Sequence, residues 1–321
     1  MKTIRFKFFK IFTLALLLTI IAVTCSKNDS SNNPDVNEIA GTDWNGTYYF
    51  TTTNFDDGWT SVVKDDWVEV TKDNMKVLIH FPQENTAMQN NGQSYIDNLW
   101  NALVAPRYSN IQDYKVADDI LSSSSAYFAS ATLTENATGK QVYVGLFATG
   151  TSDWMEFVFP SKKDFVNYFG VDINTITWMS DIAIYNPLAR MEGYNMFAVA
   201  ATDLSGKWSN NFASNAYYVN IYTGWSAGMT TYSLTETFVF GTSNYNWNLV
   251  AATTTGGYTG VNQAKSSGTY SLPNYWQIHC SNISDDPKTY NVYFSCVKGA
   301  RILWMQDAEY PTSYISYGRI K

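Results

Sequence analysis

Histidine is nearly absent from this chain and cysteine is scarce: 321 residues carry two of the first and three of the second. With only His80 and His279 there is little scope for a Ser/His/Asp or Cys/His arrangement, and the two fall in different halves, which removes a shared metal site. No Gly-x-Ser-x-Gly elbow, His-Glu-x-x-His helix, phosphate loop or dinucleotide fingerprint occurs, so no catalytic residue, cofactor or metal is expected. Positive charge is short as well. The chain has 21 Lys and Arg against 28 Asp and Glu, a net charge of −7, and no basic patch to serve as a footprint for nucleic acid or anionic headgroups.

What is present first is a leader, residues 1–24. Lys2, Arg5, Lys7 and Lys10 form a basic start, and Ile11 to Val23 form an apolar stretch too short to span a bilayer comfortably. No stop-transfer pattern follows, so the chain is expected to be exported. Ala22, Val23 and Thr24 then run into Cys25 and a polar tract beginning Ser26-Lys27-Asn28-Asp29-Ser30. This junction resembles a bacterial lipoprotein lipobox of the Bacteroidete type. The resemblance implies that Cys25 is the lipidated N-terminus of the mature protein, anchored to the outer membrane through that lipid alone. Residues 25–38 carry almost no apolar side chains and read as a flexible tether.

Aromatic residues are plentiful: 11 Trp, 23 Tyr and 18 Phe. With abundant Thr, Ser and Val they point to a mainly β protein. Most of these rings are expected to fill β cores and cross-strand pairs; the rest suit stacking on sugar faces or lining an apolar cavity.

The folded part begins near Ile39 and divides by pattern into a β-rich domain, 39–201, and a second β domain, 202–321. In the first, period-two alternation predicts strands at 47–53, 60–70, 76–81, 126–134, 141–149 and 153–159. Two helices are inserted. Ser94 with Asp97, and the spacing of Ile96, Leu99, Trp100 and Leu103, predict one that stops at Pro106. Ser161, Asp164, Phe165, Phe169 and Gly170 predict the other, capped by the glycine. In the second domain strands are expected at 216–222, 230–240, 245–253, 267–272, 275–283, 290–297, 301–306 and 313–320. Eight strands with short connections and no helix fit an antiparallel up-and-down barrel, with a plain sandwich as the alternative.

Gly206 and Trp208 open this second domain as a Gly-x-Trp motif, and arginines follow late, at 301 and 319. The segment resembles the lipocalin or calycin superfamily. That resemblance implies a calycin-like barrel whose floor is closed by an arginine packed over the tryptophan, the role falling to Arg301 or Arg319. A faint echo, Gly41 to Trp44, Tyr48-Tyr49 and Trp59 against Gly206 to Trp208, Tyr217-Tyr218 and Trp225, adds an alternative reading in which the first domain is a barrel too.

Two further features follow from alternation. Cys280 and Cys296 both fall on apolar faces of neighbouring strands; a hairpin centred near Lys288 would set them opposite one another as a disulfide, and otherwise they are two buried thiols. Glu236 falls on the apolar face of its strand, with Leu234, Phe238 and Phe240. It is either a polar anchor in a ligand cavity, a partner of Arg301 or Arg319, or turned outward by a bulge. If the barrel binds a ligand, Glu236, Phe238, Trp247, Trp276 and Trp304 are the candidates to line it. The resulting expectation is a non-catalytic, lipid-anchored cell-envelope binding protein for a small apolar or glycan ligand. A structural or adhesive surface lipoprotein with closed β cores is the alternative, and a carbohydrate-active enzyme using Glu69, Glu156 or Glu236 comes third.

Overall fold

Period-two alternation, the dominant pattern of the chain, becomes two sheets of opposite closure. The computed structural model describes residues 44–82, 93–117, 126–149, 153–177, 182–211, 232–255 and 258–320. The leader, the tether with Cys25, Gly41, the strand expected at 216–222 and Tyr217, Tyr218 and Trp225 of the faint repeat lie outside these residues.

The first sheet contains β1 (Thr52–Asn54), β2 (Thr60–Val63), β3 (Trp67–Lys72), β4 (Met75–His80), β5 (Tyr108–Val116), β6 (Ala126–Glu135), β7 (Gln141–Thr149) and β8 (Asp153–Phe159). All pairs are antiparallel and the order is β1-β2-β3-β4-β8-β7-β6-β5. The single strand expected over 60–70 is two strands, because the polar Lys64-Asp65-Asp66 turns the chain and Lys64 N–H closes on the Trp67 carbonyl at 2.9 Å. The sheet is open, which overturns the reading of the first half as a second barrel. Its two meanders join at β4 and β8, and that junction leaves β1 and β5 as free edges. Edge strand β5 escaped the alternation pattern because nearly all its side chains are exposed; Asn110 and Asp113 adopt positive φ at its register shifts, which disrupts the ladder as an edge requires.

Each sheet face is covered. Trp154 and Val158 of β8 point to one face, under α1 (Gln93–Leu99) and its continuation through a π-helical turn to Val104 and a 3-10 turn ending at Arg107. Pro106 sits in that last turn, where the sequence places the stop. Met155, Phe157 and Phe159 point to the other face, under α2 (Lys162–Phe169). The cap of α2 is as predicted: Ser161 Oγ accepts from Asp164 N–H at 3.2 Å, and Gly170 takes the left-handed conformation that ends the helix.

The second sheet is a closed antiparallel barrel of β9 (Gly206–Ser209), β10 (Tyr232–Phe240), β11 (Asn244–Thr255), β12 (Tyr258–Asn274), β13 (Gln277–Ile283), β14 (Asp286–Val297), β15 (Ala300–Asp307) and β16 (Ile315–Ile320). Consecutive strands are neighbours and β9 seals the gap between β16 and β10, so this is the up-and-down barrel and not the sandwich.

One stretch of barrel wall is not made by a barrel strand. Pairing of β13 with β14 starts at Gln277 and Asn291, with Val292 N–H still bonded to the Trp276 carbonyl at 2.8 Å, which leaves β14 beyond Val292 without a barrel-strand partner on that side. The connecting segment fills it. Phe197 and Phe294 exchange backbone hydrogen bonds of 2.8 and 2.9 Å, and the Asn195 side chain bonds the Cys296 N–H and carbonyl at 2.7 and 2.9 Å. A single buried cluster accordingly runs from Val77 and Phe157 of the first sheet through Phe197 to Trp208 and Phe294 of the barrel, inside one compact unit, Ile39–Lys321.

A fragment starting at Leu204 lacks this patch, strands the β14 amides and exposes Phe294. It is expected to lose the cooperative thermal transition and near-ultraviolet circular dichroism of the intact protein. A fragment that melts cooperatively by itself would show that the patch is dispensable.

Candidate functional site

The barrel interior changes character along its axis. Inward positions near the floor are wholly buried aromatics, Phe238 and Phe240 on β10 and Tyr245 on β11, as expected where eight strands leave just enough room for side chains. Further along the same strands the inward positions are smaller or partly exposed: Leu234, Leu249, Ala251 and, on β12, Ala264 and Ser266. Glu236 stands at the step between these two halves.

Glu236 faces inward and is 9% exposed. Trp247 Nε1 donates to its Oε1 at 2.6 Å, and the Tyr317 hydroxyl donates to its Oε2. Trp247 lies across from Phe238, one step diagonally from Glu236, where a long side chain reaches. No ion pair involves Glu236 among the described residues. An ionised carboxylate in such a place is costly unless hydrogen-bonded, and each bond from a neutral donor to a charge offsets about 1.5 to 3 kcal/mol. Burial, followed by the adjacent carboxylate, pushes the Tyr317 hydroxyl far above its ordinary value, so it keeps its proton and acts as donor. Phe238, packed edge-on to Tyr317 with centroids 5.6 Å apart, forms the base of the site. The arrangement is a buried carboxyl group in an aromatic setting, and lone pairs remain on both oxygens to accept from further N–H or O–H groups.

The barrel floor resolves the choice between the two arginines. Arg319 lies opposite Trp208 in the β16–β9 pairing, with its guanidinium carbon 4.8 Å from the Trp208 ring and 4.1 Å from that of Trp44. Gly206 makes room for it: at φ 118° a Cβ would come 3.2 Å from an Arg319 nitrogen. Arg301 is elsewhere. It is buried against the rings of Tyr48, Phe197 and Phe294 and donates to the Phe50 carbonyl. Neither arginine reaches Glu236, which removes the ion-pair reading of that residue.

Other expected positions fall differently. Trp276 leaves the barrel lining; it sits in the β12–β13 turn and is 39% exposed. Trp304 is on the outer surface, because Leu303 and Met305 take the inward positions of β15; it stacks on Tyr293 and donates to Ser295 Oγ at 2.8 Å. Phe238 and Trp247 do line the interior. Cys280 and Cys296 are both free and buried, not a disulfide. The β13–β14 turn centres on Ser284 and Asp285, both at positive φ, so Lys288 lies across from Cys280, and Cys296 pairs with Arg301 on β15. Burial pushes both thiols up to about 12.

A second charged cluster, unforeseen as a unit, occupies the α1 face of the open sheet. Glu156 is completely buried, and its Oε2 lies 3.1 Å from His80 Nε2 and accepts from Arg107, while Oε1 accepts from the Tyr108 hydroxyl at 2.7 Å. Alternation places Glu156 beside Trp154 and Val158, but nothing local in the sequence signals that the turn after α1 delivers Arg107 and Tyr108 to it. The cluster ties that turn to β4 and β8. Glu69 lies beyond Leu78 in the same sheet and Glu236 is in the barrel, so the three glutamates do not converge on one site.

Burial alone would raise the Glu156 carboxyl; hydrogen bonding and charge from His80, then Arg107 and Tyr108, outweigh it and hold the group below its ordinary 4.5. A depressed folded value stabilises the protein above the unfolded one and loses that contribution as pH falls through the folded one. Glu156→Gln is expected to cost about 1 to 3 kcal/mol at pH 7, and the difference from wild type should shrink as pH drops below about 4.5. Urea midpoints from pH 7 to 3 measure this; a constant difference across the range contradicts it. No protein-family model, curated protein or solved structure matches this chain, so the reading of both clusters stands on their geometry.

Proposed function

We propose that this chain is an exported, lipid-anchored envelope protein that holds a small apolar or glycan ligand in the partly exposed half of its barrel and performs no chemistry on it. The observation that carries the reading is Glu236, a buried carboxylate fixed by Trp247 and Tyr317 where the filled half of the barrel gives way to Leu234, Ala251 and Ala264. An anchor of this kind orients a ligand through one or two polar contacts while rings supply the buried area. The stacking of Arg319 on Trp208, with Gly206 beneath, supports the calycin-like resemblance and, with it, a binding role. The second reading, a structural surface lipoprotein, is favoured by the wholly buried rings that fill the floor half.

Native mass spectrometry of protein purified from its own envelope identifies the retained ligand. Glu236→Gln should weaken that ligand about 10- to 100-fold, the worth of one charge-assisted hydrogen bond. Stability should move by no more than about 1 kcal/mol, because the amide can accept from Trp247 and donate to Tyr317. Unaltered affinity in a titration removes the carboxylate from the binding account.

The anchor is tested separately. Wild-type protein is expected to need detergent for extraction, and Cys25→Ser to appear in the aqueous fraction or as unprocessed precursor. Wild type released without detergent, with an unmodified Cys25, sinks the lipid assignment.

A further inference from the structure

A pocket of about 490 Å³ opens at the floor end of the barrel, away from the Glu236 half. Its walls come from three separate stretches: the entering chain around Trp44 to Tyr49, the residues leading into β9, and the β10–β11 turn at Gly241 and Thr242. Volumes of this order match small-ligand sites, which run to roughly 300 to 1,000 Å³.

The chemistry of the wall is narrow. Trp44, Tyr48 and Tyr49 supply aromatic surface, while Thr47, Thr202 and Thr242 supply hydroxyls; no Asp, Glu, Lys, Arg or His is among its described lining residues. Rings offer their faces to the C–H side of a pyranose, and neutral hydroxyl and amide groups match its equatorial hydroxyls, whereas the described lining offers a charged ligand no direct ion pair. The wall is also fixed in advance. The Trp44 ring is held by the Arg319 guanidinium at 4.1 Å and by the edge of Tyr48 at 5.3 Å. The buried Asp203 carboxylate accepts the Tyr49 N–H at 3.0 Å and the Thr202 hydroxyl at 3.3 Å. The Tyr270 hydroxyl pins the turn through the Gly241 carbonyl at 3.0 Å. Side chains immobilised before binding lose little entropy on binding.

We infer that this floor pocket is a binding site for a neutral pyranose, a monosaccharide or one end of an uncharged glycan. It does not depend on the barrel interior holding a ligand.

The test uses the whole folded protein. Methyl β-glucoside, methyl β-galactoside, methyl β-N-acetylglucosaminide, their β1,4-linked disaccharides and glucuronate are titrated with saturation-transfer NMR as the readout. At least one neutral sugar should bind with a dissociation constant around 1 mM or tighter, equivalent to about 4 kcal/mol, and glucuronate should bind more weakly. Tyr49 is 70% exposed, so Tyr49→Ala should spare the melting temperature while weakening the sugar at least about tenfold, as expected for truncating an aromatic contact. Thr202→Val should weaken it as well, and Tyr310→Ala, on an exposed ring outside the pocket wall, should not. Absence of binding across the neutral panel overturns the inference. Sugar binding that survives Tyr49→Ala and Thr202→Val but falls in Glu236→Gln also overturns it, by placing the sugar in the barrel interior.

Discussion

The unpaired edge of β14 governs how this molecule is assembled. Strand β13 is too short to cover it, and a row of backbone amides in a barrel wall cannot be left bare beside a buried ring such as Phe294. The chain solves this with Asn195 and Phe197, residues that come before the barrel in sequence and end the helical cover of the first sheet. Closing the barrel therefore requires the first sheet's cover to be in place. One continuous buried cluster is the result.

Much of this was legible from alternation alone. Strands β6, β7 and β8 fall within a residue of their expected limits, and the α2 cap was readable because Ser161, Asp164 and Gly170 are local chemistry. Glu236 was placed on the apolar face by the same period of two, which left open whether a bulge turned it outward; the structure faces it inward, with Trp247 beside it. What stayed hidden were long-range meetings. Tyr317 reaches Glu236 across the closure of the barrel, and Arg107 reaches Glu156 through a helix, so no spacing in the sequence records either. Trp276 and Trp304 were misplaced for a simpler reason: aromatic rings are as acceptable on the outer surface and in turns as inside, and only register decides. Of the two cysteine readings the buried thiols hold, because the turn sits at Ser284 and Asp285, both at positive φ, and not near Lys288.

The two late arginines share a physical solution. Neither forms an ion pair with a carboxylate among the described residues; each is sandwiched by rings, Arg301 by Tyr48, Phe197 and Phe294, and Arg319 by Trp44 and Trp208. Quadrupoles hold the charge without the full desolvation penalty of a second buried ion. The entering chain, through Trp44 and Tyr48, is thereby fastened to the barrel's first and last strands and to β15. These contacts also give the floor pocket walls that do not have to reorganise.

The separation of Cys280 from Cys296 reaches beyond stability. With both thiols shielded and pushed to about 12, the described residues offer essentially no thiolate at neutral pH to an oxidant, an alkylating agent or an acyl donor. Folding of the described residues then needs no disulfide-forming or isomerising step, and mispaired oxidised forms have no folded starting point. The cysteine economy noted at the outset narrows further in the folded body: of the three cysteines in the sequence, the two among the described residues are closed to a thiol-directed reagent.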